Sequence, residues 1–312
     1  MLARRNIQRH TKWLQPQTAV PWIGAALSCI CVLASSASAQ HPIDLQRASA
    51  AGDHFKALVF AEQMPRRIAT IESSLALARS AWALGLNSRA LDEFDRVLRT
   101  AQLDSVEKAR IHLTKAILEY QEGHYQVASL HAERVINELE GIDTEPTLNS
   151  KARFVWGEAL TRQNAYGPAE LQYLQALEGA AAAELPQIHL SLASVELKLG
   201  KFEKAKEHFE QIPVDHELTP RAIRGLAEVS VELKRPDAVQ FWLTKARKEY
   251  PDSFLDSWVD YALMCAAIDR NQIAEVSELR TQVANRLPPS DPWVVLLNAA
   301  AEGFVWNKRG GK

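Results

Sequence analysis

Cysteine is nearly missing from this sequence. Of three in 312 residues, Cys29 and Cys31 lie in an apolar stretch near the N-terminus, and Cys265 stands alone in the remainder. No disulfide within that remainder contributes, so stability has to come from packing. Runs of alternating Val, Ile and Thr that would build strands are absent, and 13 Gly and 14 Pro are too few for a low-complexity chain. Ala, Leu and Glu dominate instead, and these favour helix. Neither sign of charge prevails: 36 Lys and Arg face 38 Asp and Glu, for a formal net charge of −2, and like charges form no block. A sequence-independent nucleic-acid binder needs a basic face that this balance does not supply. Catalytic signatures are missing too. Beyond residue 39 there is no H-E-x-x-H, C-x-x-C, G-x-S-x-G, Walker loop or dinucleotide fingerprint. The nearest approach, His216-Glu217, has Pro220 where a second zinc-binding His would stand. What is present suffices for a large core, since 47% of the residues are hydrophobic.

The first 39 residues form a separate object. They contain Arg4, Arg5, Arg9 and Lys12 but no Asp or Glu, then an apolar stretch from Ala19 to Ala34, then Ser35-Ser36-Ala37-Ser38-Ala39. Basic, apolar and small, in that order, is the pattern of a secretory signal, with cleavage expected before Gln40 and a periplasmic or secreted product. The alternative is retention in the inner membrane through residues 19–34. That stretch falls short of the ~20 residues needed to span a bilayer and carries Pro21 near its start. Cleavage would leave 32 basic against 38 acidic residues, a mildly acidic product.

Residues 40–303 are organised by an internal repeat. The clearest unit runs from Gln187 to Pro213, with Leu192-Ala193 in a first helix, Gly200 at a turn, Phe202 after it, and Ala205-x3-Phe209 in a second helix. The same template fits Leu77-Ala78, Gly85 and Ala90-x3-Phe94. It fits again at Ala116, Gly123 and Ala128-x3-Ala132, and at Trp156-Gly157, Asn164 and Ala169-x3-Tyr173. A degenerate first unit contains Gly52, and beyond Gly200 the pattern decays. These residues resemble the tetratricopeptide pattern of a Leu-Gly pair, an Ala-x3-Phe pair and a terminal Pro. The resemblance implies an all-α fold: a right-handed superhelical solenoid of about six to seven antiparallel helix pairs. Small residues would lie at close helix crossings and aromatics between successive pairs. Residues 304–312 are expected to be a disordered tail.

The family commonly binds peptides or partner helices in a concave groove lined by the first helix of each pair. Projected here, that rule selects Arg79, Trp82, Arg110, Tyr120, Lys151, Phe154, Arg162, Lys198, Arg221 and Arg224. Basic residues predominate among them, which suggests an extended partner segment with acidic and apolar side chains, anchored on Trp82, Tyr120 and Phe154. The alternative is that these charges only solvate the inner face. The Asn and Lys of the family's carboxylate clamp are absent, since Leu75, Arg79, Leu113 and Ile117 hold the matching positions.

No cofactor and no metal are expected. His124 and His131 fall on one helix face with His112 nearby, but no carboxylate or Cys joins them at ligand spacing, so surface or interface histidines are the expectation. Cys265 is expected at a small-residue packing position. The function implied is a non-enzymatic interaction scaffold in the bacterial cell envelope, assisting an envelope, polysaccharide or secretion complex. An alternative is a regulatory or substrate-recruiting subunit of a peptidoglycan or proteolytic enzyme whose catalytic chain is separate. Either way the partner is a protein or peptide, with no nucleic acid and no small-molecule substrate. Membrane contact would come only through the uncleaved precursor or a partner.

Overall fold

The computed structural model describes residues 42–64 and 69–308. The expected signal segment and its cleavage site lie outside the described residues. Those residues form fifteen α-helices and no strand. In order they are α1 (Pro42–Ala50), α2 (His54–Gln63), α3 (Ile71–Ala83), α4 (Asn87–Thr100), α5 (Ser105–Glu122), α6 (Tyr125–Glu138), α7 (Pro146–Arg162) and α8 (Tyr166–Leu177). There follow α9 (Leu185–Lys198), α10 (Phe202–Glu210), α11 (Thr219–Glu232), α12 (Pro236–Glu249), α13 (Ser257–Asp269), α14 (Ile273–Arg286) and α15 (Pro292–Lys308). No described helix is long and apolar enough to cross a membrane.

The chain divides into two compact units, Met1–Ala159 and Leu160–Lys312. In the first, α1 packs on α2, α3 on α4 and α5 on α6. In the second, α9 packs on α10, α11 on α12 and α13 on α14, with α8 against α9 and α15 against α13.

One turn closes the helix pairs. Gly85, Gly123 and Gly200 take φ of 74°, 86° and 72°, and Asn164 takes 60°. At each the next N–H reaches back five residues: Leu86 to the Ala81 carbonyl, His124 to Glu119, Ala165 to Leu160 and Lys201 to Glu196, at 2.8–2.9 Å. This left-handed closure satisfies carbonyls that a helix end leaves open. Beyond Gly200, where the sequence pattern decays, the turn persists. Lys234 and Asn271 take φ of 53° and 62°, and Arg235 and Gln272 donate to the Ser230 and Ala267 carbonyls at 2.9 Å. The glycine is lost there but the backbone hydrogen bonds are kept. A left-handed Lys costs roughly 1–2 kcal/mol, which packing covers.

Burial explains the small and aromatic positions of the repeat. Ala78, Ala90, Ala169, Ala193 and Ala205 are wholly buried, and Phe94, Tyr173 and Phe209 nearly so. Around Phe94 the first unit gathers Leu77, Val97, Ile111 and Leu118; around Phe209 the second gathers Leu190, Ile212, Leu226 and Val229. The Phe209 ring lies so close on Gly225 that a Cβ there would strike its Cζ. Farther along, Asp260 is buried on α13 and is held by Arg247 and Arg286, so its charge is compensated.

The last helix runs Pro292–Lys308, past Gly303, after which the tail is expected to begin, and Phe304 packs against the core cluster that holds Val294, Leu297 and Ala301. Residues 309–312 lie outside the described residues.

Candidate interaction surface

First helices of successive pairs lie side by side and are stitched by polar contacts. In the first unit, Trp82 Nε1 on α3 donates to Gln121 Oε1 on α5 at 3.3 Å. The Tyr120 hydroxyl donates to Glu158 Oε2 on α7 at 3.1 Å. Arg110 Nη2 donates to both carboxylate oxygens of Glu145 at 2.9 and 3.0 Å. In the second unit, Arg224 on α11 pairs with Asp256 at the start of α13 and lies over the Phe254 and Trp258 rings, 5.4 and 5.2 Å from their centroids.

These contacts sort the residues expected from the sequence. Arg79, Arg110, Arg162, Lys198 and Arg221 are exposed; Trp82, Lys151 and Arg224 are half-buried. Tyr120 and Phe154 are not available as anchors, being 2% and 0% exposed. Tyr120 packs with Ala128, Ala159 and Tyr125 inside the first unit. Neighbouring helix positions point about 100° apart, so an aromatic one position from the inner stripe belongs to the core. The basic surplus is also smaller than the sequence implied, because Arg110 and Arg224 are neutralised within the chain by Glu145 and Asp256.

In the second unit, α9, α11 and α13 border an open cleft of about 420 Å³, at the small end of ligand-sized clefts. Its walls are Leu197 and Lys198 from α9, Gly200 from the turn after it, Phe202 at the start of α10, Glu228, Val231 and Glu232 from α11, and Trp258 from α13. Of these only Lys198 was selected from the sequence. Burial pushes the Glu228 carboxyl above the usual carboxylate range, while Arg224 and Lys198 pull it back. No described residue hydrogen-bonds to Glu228 or pairs with it within ion-pair distance.

The histidines group differently from the sequence expectation. His124 caps α6 at the surface beside Glu119, its Nδ1 at 2.8 Å from Oε2. His112 and His131 form the buried pair instead, with Nδ1 atoms 3.3 Å apart and stacked rings. The second unit repeats this with His189 and His208 at 3.1 Å. The signal available was a 19-residue spacing occurring twice, with one histidine on each helix of a pair. Among the described residues no group of three or more His, Cys, Asp and Glu is placed to hold a metal ion. Cys265 is half-buried in α13, and burial raises its thiol above the ordinary value, which disfavours the reactive thiolate.

Comparison with known proteins adds to the fold. No family profile matches the sequence, and no curated protein matches it either. Among solved structures, the apo form of RapI is similar to this chain with a TM-score of 0.53 at 14% identity, covering 77% of this chain and 97% of RapI. PilF of Pseudomonas aeruginosa is similar with a TM-score of 0.52 at 15% identity, covering 67% of this chain and 94% of PilF. The fold is of the tetratricopeptide type. At these identities the likeness extends to the fold alone. The helix pairs of this chain place Lys198, Glu228 and Trp258 on first helices, the ones that border the cleft.

Proposed function

We propose that this chain is a non-catalytic protein-binding scaffold of the bacterial cell envelope, exported by residues 1–39 and holding an extended segment of a partner along its first helices. The observation that carries the binding reading is the cleft between α9, α11 and α13. It is open and partly apolar, and it is lined by a partly desolvated carboxylate that no described residue pairs. Support for export comes from the basic, apolar and small order of residues 1–39, and for the absence of catalysis from the missing signatures.

The test is photo-crosslinking in cells. A benzophenone side chain at Val231, within the cleft, is expected to trap an envelope protein. The same group at Leu171, exposed on the second helix α8, is expected to trap none. Equal yields at the two positions overturn the inner-face reading. Sequencing the N-terminus of the cell-derived protein checks export: Gln40 is expected, and an intact Met1 in a soluble fraction counts against it.

A further inference from the structure

Arginines predominate among the first-helix residues, yet the cleft itself is acidic. Its walls carry two carboxylates, Glu228 and Glu232, and one ammonium, Lys198. Arg224 acts on Glu228 only from beyond ion-pair distance, as Lys198 does: its ion pair is with Asp256, and its plane rests over Phe254 and Trp258. Glu228 is partly buried, with no described hydrogen-bond or ion-pair partner. A carboxylate removed from water without a partner is costly, and an incoming cation is the species that relieves that cost. Beside it, Leu197, Val231 and Phe202 offer apolar wall, which suits the methylene stem of Lys or Arg while the charged head meets the carboxylate. Lys198 is exposed at the end of α9, where its long side chain is free to move aside or to compete.

We infer that the cleft between α9, α11 and α13 receives a Lys or Arg side chain of an extended partner segment, with Glu228 as the principal acceptor and Glu232 at the rim. This rests on the reading of the cleft as the binding surface, and it reverses for this unit the acidic partner suggested by the sequence.

Selection of random twelve-residue peptides displayed on phage against the whole chain tests it. Selected peptides are expected to share one Lys or Arg next to an aliphatic or aromatic residue. Affinity for a synthetic copy is expected to fall at least tenfold with Glu228→Gln and to rise severalfold with Lys198→Gln, which removes the competing cation. Glu228→Gln preserves shape, and circular dichroism and thermal melting establish that it folds. Two results overturn the inference alone: peptides that bind the first helices without a shared cation, or affinity within twofold of the parent for Glu228→Gln. If no peptide is selected, or binding is indifferent to substitution at Val231 and Trp258 as well, the binding surface itself is wrong.

Discussion

His112 with His131 in the first unit and His189 with His208 in the second are the same device in different company. Each spans one helix pair, with rings stacked at 5.4 and 5.2 Å and interplanar angles of 23° and 28°. In each, a 3.1–3.3 Å approach of two Nδ1 atoms requires one nitrogen to donate and the other to accept. The neighbours differ. The first pair faces Arg134 and Lys115, the latter bound to Asp95 at 2.5 Å. Burial first, then these cations, hold His112 and His131 down at about 4. In the second pair burial again lowers both histidines, but His208 Nε2 lies 3.7 Å from Glu196, and Glu170 stands nearby, bound to Lys201. Glu196 is itself raised to about 7, mainly by burial and then by Glu170. Similar ring geometry therefore sits in different surroundings, with the cations Arg134 and Lys115 leading Glu138 and Asp95 at His112 and Glu207 leading Lys204 at His208, and acid is expected to separate the two units.

The largest expected effect is on the first unit. His112 and His131 titrate near 6.5 when unfolded and near 4 when folded, so the unfolded chain binds more protons between those values. Stability of α5 and α6 is expected to fall as pH drops from about 6.5 to 4, by up to about 3 kcal/mol per histidine. Hydrogen exchange read by mass spectrometry at pH 7 and 4.5, corrected for intrinsic rates, checks it. Equal losses in α5–α6 and α9–α10 break the comparison.

Next is Gly225→Ala, whose Cβ would strike the buried Phe209 ring. A cost of about 2 kcal/mol is expected in α10 and α11, read as a lower urea midpoint with faster exchange there. An acid response of α5 and α6 that moved along with it would erase the distinction between the units.

Glu196→Gln sharpens the comparison from the other side. Glu196 stays protonated in the fold to about pH 7 but ionises near 4.5 when unfolded, so its share of stability is lost as pH rises through that window. The variant is expected to be more stable than the parent at pH 8 by about 1–2 kcal/mol and nearly equal to it at pH 4. A parallel offset at both pH values would show that Glu196 does not titrate. The smallest effect is Lys234→Gly, expected to add about 0.5–1 kcal/mol by relieving the left-handed turn. Thermal melts of parent and variant decide it, and an unchanged or lower midpoint refutes it.

Much of this fold is legible in the sequence, and the reasons are local. Gly85, Gly123 and Gly200 announce turns because only glycine takes φ near 75° without cost, and Ala-x3-Phe places a small and a large residue one helical turn apart. Past Gly200 the announcement fails, because Lys234 and Asn271 occupy the same turn at a modest penalty that neighbouring packing absorbs. The surface was less legible. Counting Arg and Lys on first helices does not reveal that Glu145 and Asp256, from adjacent segments, already neutralise two of them. Nor does it reveal that Tyr120 and Phe154 point inward. Glu228 draws its character from burial and from the lack of a partner, neither of which spacing encodes.

The closing turns have a practical meaning for labelling and fusion. Within a helix pair the left-handed residue and its backward hydrogen bond fix the connection at a few residues, so an inserted tag there would separate the two helices. Between α6 and α7 the chain instead runs through exposed Gly141, Asp143 and Thr144. A fluorophore or an inserted epitope at Asp143 is the modification that this architecture is built to carry without disturbance.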